Sequence, residues 1–215
     1  MAITTGFEAE KVNDSINSLI NCYNNLIRIT LTEFEDNFIA TLATSWASQD
    51  AVDAYKTFKQ NEDSLNRMIK DSYGNYVNAM NDAGRIWATG TNTSTYRSVL
   101  FNPTIEELST EGLHENIGGN RGVDDAGCEA ALSTLQDLST KAHTILDDTK
   151  KSVLDSGFIG GNQQEAINNS IDKIKRKIES NYNEIVVIIN KSVRETKERY
   201  GSLARTVTSK MSEES

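Results

Sequence analysis

The sequence predicts an all-α protein made of two antiparallel helical hairpins in tandem, which together form an elongated four-helix bundle. Apolar residues recur at spacings of three and four over four long stretches, which is the period of an amphipathic helix. The 215 residues include one proline and only 7% aromatic residues. This composition disfavours a multi-strand sheet, which needs regular turns and alternating β-branched residues.

The first hairpin is predicted within residues 1–89. Apolar residues over 7–42 follow the helical period, and a second apolar stripe begins shortly after Trp46. Because only a few residues around Trp46 join the two stripes, the two helices should fold back on each other. Ser48 or Asp50 can cap the second helix, since both residue types accept hydrogen bonds from the first turn.

Residues 90–122 differ from the flanking helices, because they are rich in Gly, Thr and Asn and contain the single proline, Pro103. That composition is typical of a linker. Within it, Pro103 and the glutamates that follow predict a short helical piece over Thr104–Leu108. Residues 210–215 are expected to form a polar tail.

The second hairpin is predicted over residues 123–209, and its last helix carries the clearest apolar seam in the sequence. The seam steps by four and three residues, with Asn181 as its one polar member. An isoleucine seam of this kind requires a partner helix, and an Asn within it can fix the register. The helix-packing core is therefore expected to include Ile167, Ile171, Ile174, Ile178, Ile185 and Ile188.

The two inter-helix turns, here termed the elbows, are similar to each other. The first elbow covers residues 45–48 and the second covers 157–160, so that Trp46 aligns with Phe158 at a separation of 112 residues. A large aromatic side chain can cover the open end of a hairpin while a small residue beside it permits a tight turn. Internal duplication explains the similarity, and so does the need of any hairpin for an apolar plug.

The first elbow also carries a family resemblance. Trp46-Ala47-Ser48 forms a Trp-x-small turn between two helices, with Ser48 in a glycine position, and Ala54-Tyr55 opens the next helix. This arrangement over residues 7–89 resembles the WXG family of small type VII secretion substrates. Phe158-Ile159-Gly160 resembles the turn of a diverged second copy, in which Gly160 keeps the glycine and Phe replaces Trp.

The resemblance implies hairpins that pair into four-helix bundles and are exported as folded dimers by a membrane ATPase. Two hairpins in one chain would then form an intramolecular pseudo-dimer, although pairing with a second copy as a homodimer stays open. The implied function is that of a bacterial type VII secretion substrate, or of a partner or chaperone for one. Its expected partners are the secretion ATPase or a co-secreted helical protein. The candidate contacts are Trp46, Phe158 and the exposed helix flanks, and for Trp46 closure of its own hairpin stays open as an equal alternative.

The composition disfavours several other functions. A net charge of −9 would repel a phosphate backbone, so we expect no nucleic-acid binding. No apolar run reaches the length of a membrane span, and the N-terminal residues lack a Sec-type signal peptide. We therefore expect a protein that is secreted without a cleavable signal, or cytoplasmic before export.

The sequence predicts no enzyme, cofactor or metal site. It contains two histidines and lacks both the phosphate-binding loop and the nucleophile elbow. Cys22 and Cys128 lie on apolar stripes and are most simply buried thiols, although a disulfide between them stays open. The alternative function is a structural coiled-coil spacer or assembly module, such as one from a phage or a cell surface.

Overall fold

A computed structural model describes residues 6–92, 96–159 and 163–213 of the chain. Four long helical stretches make up most of this structure, which confirms the predicted all-α fold class. The packing of the helices is compatible with a four-helix arrangement.

The first helical stretch has three parts: α1 (Ala9–Ile27), a π-helical segment (Arg28–Ile39) and α2 (Ala40–Ala43). In the π segment the backbone hydrogen bonds follow the wider i→i+5 pattern. The other three helices are α3 (Gln49–Thr91), α4 (Asp125–Leu154) and α5 (Gln163–Glu213). Four two-residue strands lie next to helix ends: β1 (Gly6–Phe7), β2 (Trp46–Ala47), β3 (Gly122–Val123) and β4 (Phe158–Ile159).

Two local predictions have different outcomes. Of the two candidate caps of α3, Ser48 is the cap, because its Oγ accepts a hydrogen bond from the Ala51 N–H (3.1 Å). The helical piece predicted over Thr104–Leu108 is wrong, since these residues have no regular secondary structure. Side chains of α3 bind the Leu108 main chain, which therefore cannot form helical hydrogen bonds.

The chain divides into two compact units. Unit 1 comprises Met1–Leu31, Ser64–Glu106 and Ser139–Glu179, and unit 2 comprises Thr32–Asp63, Glu107–Leu138 and Ser180–Ser215. Each unit takes residues from both hairpins and from the linker that the sequence predicts. The units therefore do not coincide with those segments.

In unit 1, aromatic side chains of α1 and α3 pack together. The rings of Tyr23 and Tyr73 lie 5.7 Å apart, and Phe101 packs edge-on against Tyr23 at 5.0 Å. Tyr73 is fully buried, and its hydroxyl shares a 2.6 Å hydrogen bond with the Thr149 hydroxyl of α4. This bond satisfies a polar group that would be costly to bury alone. An ion pair between Lys150 of α4 and Asp172 of α5 joins the last two helices in this unit.

In unit 2, the π segment supplies two fully buried phenylalanines to the core. Phe38 packs against Phe58 of α3 with ring centroids 6.3 Å apart, and Phe34 stacks on Tyr182 of α5 at 6.1 Å. Asn181, the polar member of the seam, is also fully buried, and its Nδ2 donates to the main-chain oxygen of Asn61 (3.1 Å). A buried amide with this specific partner favours one register of α5 against α3.

The isoleucines of α5 occupy buried positions over most of the seam. Ile188 is only half-buried, whereas its neighbour Ile189 is buried. A straight helix has 3.6 residues per turn, so a seam that repeats every 3.5 residues drifts around the helix surface. That drift moves the buried face from Ile188 to Ile189. The buried members of the predicted seam are Ile167, Ile171, Ile174, Ile178 and Ile185.

We expect Ile174→Asp to destabilise the fold by about 3–5 kcal/mol, because it places a carboxylate in a fully buried apolar position. Thermal unfolding followed by circular dichroism measures the effect. Val187→Asp is the matched control, since Val187 lies on the same helix but is 65% exposed. Equal melting temperatures for the two variants would show that the core face of α5 is assigned incorrectly.

Candidate protein-interaction site

The first elbow is held by a short strand pair within unit 2. Trp46 lies opposite Val123, and the Asp124 N–H donates to the Ser45 carbonyl oxygen (2.7 Å). The Trp46 side chain is fully buried, and its indole N–H has no hydrogen-bond partner among the described residues. The Trp46 side chain therefore contributes its apolar volume, and the ring closes the end of the hairpin. A side chain so buried is not available as a surface contact, contrary to the role that the resemblance gave it.

The second elbow is held in the same way within unit 1. Phe7 lies opposite Phe158, and the Glu8 N–H donates to the Gly157 carbonyl oxygen (2.9 Å). Gly160 lies outside the described residues, as does the side chain of Phe158.

Each elbow thus pairs with the residues that precede a helix of the other hairpin. We term residues 6–8 and 122–124 the leaders, and each leader with its elbow a clasp. In both clasps the leader ends in an acidic residue whose N–H binds the elbow and whose carbonyl oxygen accepts the first bond of the following helix. The two clasps therefore share their main-chain pattern as well as their position in the hairpin.

Gly157 shows why the second clasp requires glycine. Its φ is +77°, a left-handed conformation that costs little only for glycine. A Cβ atom there would also lie 2.8 Å from the Glu8 carbonyl oxygen. The close approach of leader and elbow therefore requires a residue without a side chain at position 157.

A second constellation in unit 2 binds residues 107–114, which we term the strap. Asp63 of α3 accepts the Leu108 N–H (3.0 Å), while Lys59 donates to the Leu108 carbonyl oxygen (2.7 Å). Lys59 and Asp63 also form a largely buried ion pair at 2.7 Å. One salt-bridged pair of side chains thereby satisfies both main-chain polar groups of Leu108.

The next strap residue is bound in the same manner. Glu35 accepts the Ser109 N–H (2.7 Å), and the Tyr55 hydroxyl donates to the Ser109 carbonyl oxygen (2.7 Å). Burial first, and then the carboxylates of Glu35 and Asp63, raise the pKa of Tyr55 to about 12. Tyr55 therefore remains a protonated donor at neutral pH.

In unit 1 an asparagine holds a neighbouring extended segment. The Asn81 side chain accepts the Val99 N–H (2.9 Å) and donates to the Val99 carbonyl oxygen (2.8 Å). The Tyr96 hydroxyl also donates to Asn81. Most of residues 96–114 therefore lack regular structure, but side chains of the helices anchor them. A flexible linker would have no such anchors.

The two cysteines are free and buried. Burial raises the pKa of the Cys22 thiol, and it raises that of Cys128, with help from Asp125 and Asp124, to about 11. A thiol is a nucleophile mainly as the thiolate, so the raised pKa lowers the reactivity of both cysteines near neutral pH. The disulfide left open by the sequence does not form in this structure.

In the part of the chain that the structure describes, buried acidic groups do not assemble into a metal site. Across residues 6–92, 96–159 and 163–213, no cluster of three or more His, Cys, Asp or Glu side chains could hold a metal ion. Glu62 in unit 2 has the most buried carboxylate among the residues that the structure describes. Burial, followed by this carboxylate, raises the pKa of Tyr182 well above its ordinary value.

The C-terminal part of α5 exposes an apolar stripe. Every side chain over 201–212 is exposed, and Leu203 and Val207 are each more than half exposed although they lie four residues apart on one helix face. Met211 follows on the same face with 69% exposure. These residues continue the seam that is buried earlier in α5. The described helices include none with the length and hydropathy of a membrane span.

Comparisons with protein-family models, curated proteins and solved structures gave no significant match for this chain.

The strap contacts carried only a weak sequence signal. Glu62 and Asp63 interrupt the apolar stripe of α3, and such an interruption indicates a polar partner. Nothing local, however, connects Asp63 with Leu108, because their contact joins residues 45 positions apart. The leaders carried even less signal, since a two-residue strand is too short for a periodic pattern.

We expect Gly157→Ala to destabilise the chain by about 2 kcal/mol, because the new methyl group would strain the backbone and meet Glu8. Gly74→Ala is the matched control. Gly74 lies inside α3 with open space around it, so alanine there should stabilise the helix by about 0.5–1 kcal/mol. Urea denaturation measures both changes, and a neutral Gly157→Ala would contradict the clasp geometry.

We expect both thiols of the native chain to react slowly with Ellman's reagent at pH 8, because their raised pKa values keep them protonated. In concentrated urea the thiols regain an ordinary pKa of about 8.5, and both should react rapidly. The time course of absorbance in the two conditions measures the difference. Rapid reaction of either thiol in the native chain would show that it is accessible.

Proposed function

We propose that this chain is a non-enzymatic bacterial protein of type VII secretion, acting as a substrate or as the partner or chaperone of one. It works through helix-mediated protein contacts. The observation that carries this proposal is the exposed apolar stripe of α5, formed by Leu203 and Val207. The tandem hairpins and the Trp46-Ala47-Ser48 elbow support the link to secretion.

The stripe has the properties of a surface that needs a partner. The end of α5 has no buried side chain over 201–212, so a partner that covers the stripe removes apolar surface from water. Its leucine and valine continue a buried seam, and a partner helix that continues the packing would bury them. Contact through this stripe replaces contact through Trp46, whose side chain is buried.

The charge of the segment indicates the kind of partner. The end of α5 is nearly neutral, since Arg205 and Lys210 are followed by Glu213, whereas the whole chain carries −9. Its contact surface is therefore mainly apolar, and the apolar face of another amphipathic helix complements it. We therefore expect a co-secreted helical protein or a component of the secretion machine that presents such a helix.

The experiment is an export assay in a bacterium with a type VII secretion system, with and without its ATPase. We expect the tagged chain in the culture medium only when the ATPase is active. The double variant Leu203→Ser/Val207→Ser should lower export about tenfold, because apolar anchors dominate such interfaces.

The matched control is Ile86→Ser/Val187→Ser, which removes two equally exposed apolar side chains elsewhere. Its export should equal that of the unaltered chain. Retention of the chain in cells with an active ATPase, without any exported partner bound to it, would contradict the proposal. So would export that continues when the ATPase is deleted.

A further inference from the structure

The strap is bound mainly through its main chain. Side chains of the first hairpin bind the N–H and carbonyl groups of both Leu108 and Ser109. The Ser48 N–H, at the start of α3, donates to the carbonyl oxygen of His114 (3.2 Å). Such contacts do not depend on the side chain at those positions. These hydrogen bonds therefore recognise an extended backbone, and any choice of residue must come from other contacts.

Two leucines anchor the strap between these bonds. Leu108 and Leu113 are buried, at 2% and 4% exposure, whereas Ser109, Thr110 and Glu111 between them are exposed. Main-chain hydrogen bonds combined with a few buried side chains are the usual way in which a protein groove binds an extended peptide. The strap has this pattern although it belongs to the same chain.

Gly112 adds a steric requirement. A Cβ atom at this position would overlap the ring of Tyr55, whose hydroxyl donates to Ser109. The ring can keep that hydrogen bond only if residue 112 has no side chain. The groove therefore selects a Leu-x-x-x-Gly-Leu pattern, which the strap provides at residues 108–113.

We propose that Glu35, Tyr55, Lys59 and Asp63 form a binding site for an extended peptide, which the strap occupies in cis. The ligand that the site takes in trans is a segment of the same Leu-x-x-x-Gly-Leu pattern on another polypeptide. A tethered segment competes at an effective concentration on the order of millimolar, so the trans ligand binds after the strap is released. This site is separate from the α5 stripe, and the inference does not rest on secretion.

The experiment uses a fluorescent peptide of residues 105–115 and the full chain with Leu108→Ser/Leu113→Ser, which weakens the anchors of the strap. We expect saturable binding by fluorescence polarisation. Adding Asp63→Ala to this chain should weaken binding about tenfold, because the peptide loses a hydrogen bond to a charged acceptor.

Asp53→Ala in the same chain is the matched control. Asp53 lies on α3 and pairs with Lys56, as Asp63 pairs with Lys59, but it is exposed and bonds Gln49. It should leave the affinity unchanged. A peptide with Gly112→Ala should bind at least about tenfold more weakly, because its methyl group would meet Tyr55.

Two results would overturn the proposal. One is a chain that keeps its helical circular dichroism and yet does not bind the peptide. The other is binding that is indifferent both to Asp63→Ala and to Gly112→Ala in the peptide, which indicates an apolar peptide that adheres without a site. If the double variant fails to fold, Gly112→Ala in the full chain serves instead, since it displaces the strap and keeps both leucines.

Hydrogen exchange of the unaltered chain gives a test that needs no variant. We expect the Leu108 and Ser109 amides to exchange through local release, far faster than the buried amides of α3. Equal opening free energies for strap and helix would show that the strap leaves only when the whole fold opens, and would overturn the proposal. Neither outcome bears on export, which depends on Leu203 and Val207.

Discussion

The pairing of each elbow with the leader of the other hairpin is the interaction on which the rest of the structure depends. The bonds from Asp124 to Ser45 and from Glu8 to Gly157 place the start of one helix beside the turn between two others. Because the same leader residues begin α4 and α1, the clasps fix where those helices start. Side-chain packing along each helix follows from that register, as the stacking of Tyr182 on Phe34 illustrates.

The strap shows how a segment without regular structure can be part of the fold. Backbone polar groups that are removed from water need partners, and the usual partners are other backbone groups in helices or sheets. Here Asp63, Lys59, Tyr55 and Glu35 supply those partners from helical side chains. The cost is that several polar or charged residues occupy a helix face that would otherwise be apolar.

Local sequence patterns predicted the helices well, because an apolar face is a periodic signal that tertiary structure seldom overrides. Ser48 as one of two candidate caps, and Asn181 as the polar member of the seam, followed from the same local chemistry. The π segment, the leaders and the strap were not predicted, since they depend on contacts between residues far apart in the chain. The composition of residues 90–122 predicted a linker, but it gave no sign of the hydrogen bonds by which helix side chains hold this segment. The family resemblance and the internal duplication remain predictions.

The π segment has a consequence for how the two hairpins compare in length. Phe7 and Trp46 are 39 positions apart, whereas Val123 and Phe158 are 35 apart, so the first hairpin has four additional residues between leader and elbow. A π turn closes each hydrogen bond around one more residue than an α turn, and long π segments are rare. The surplus corresponds to about one α-helical turn. The wider turns over Arg28–Ile39 place more residues in each turn of the first helical stretch, and so take up part of this difference in length between leader and elbow.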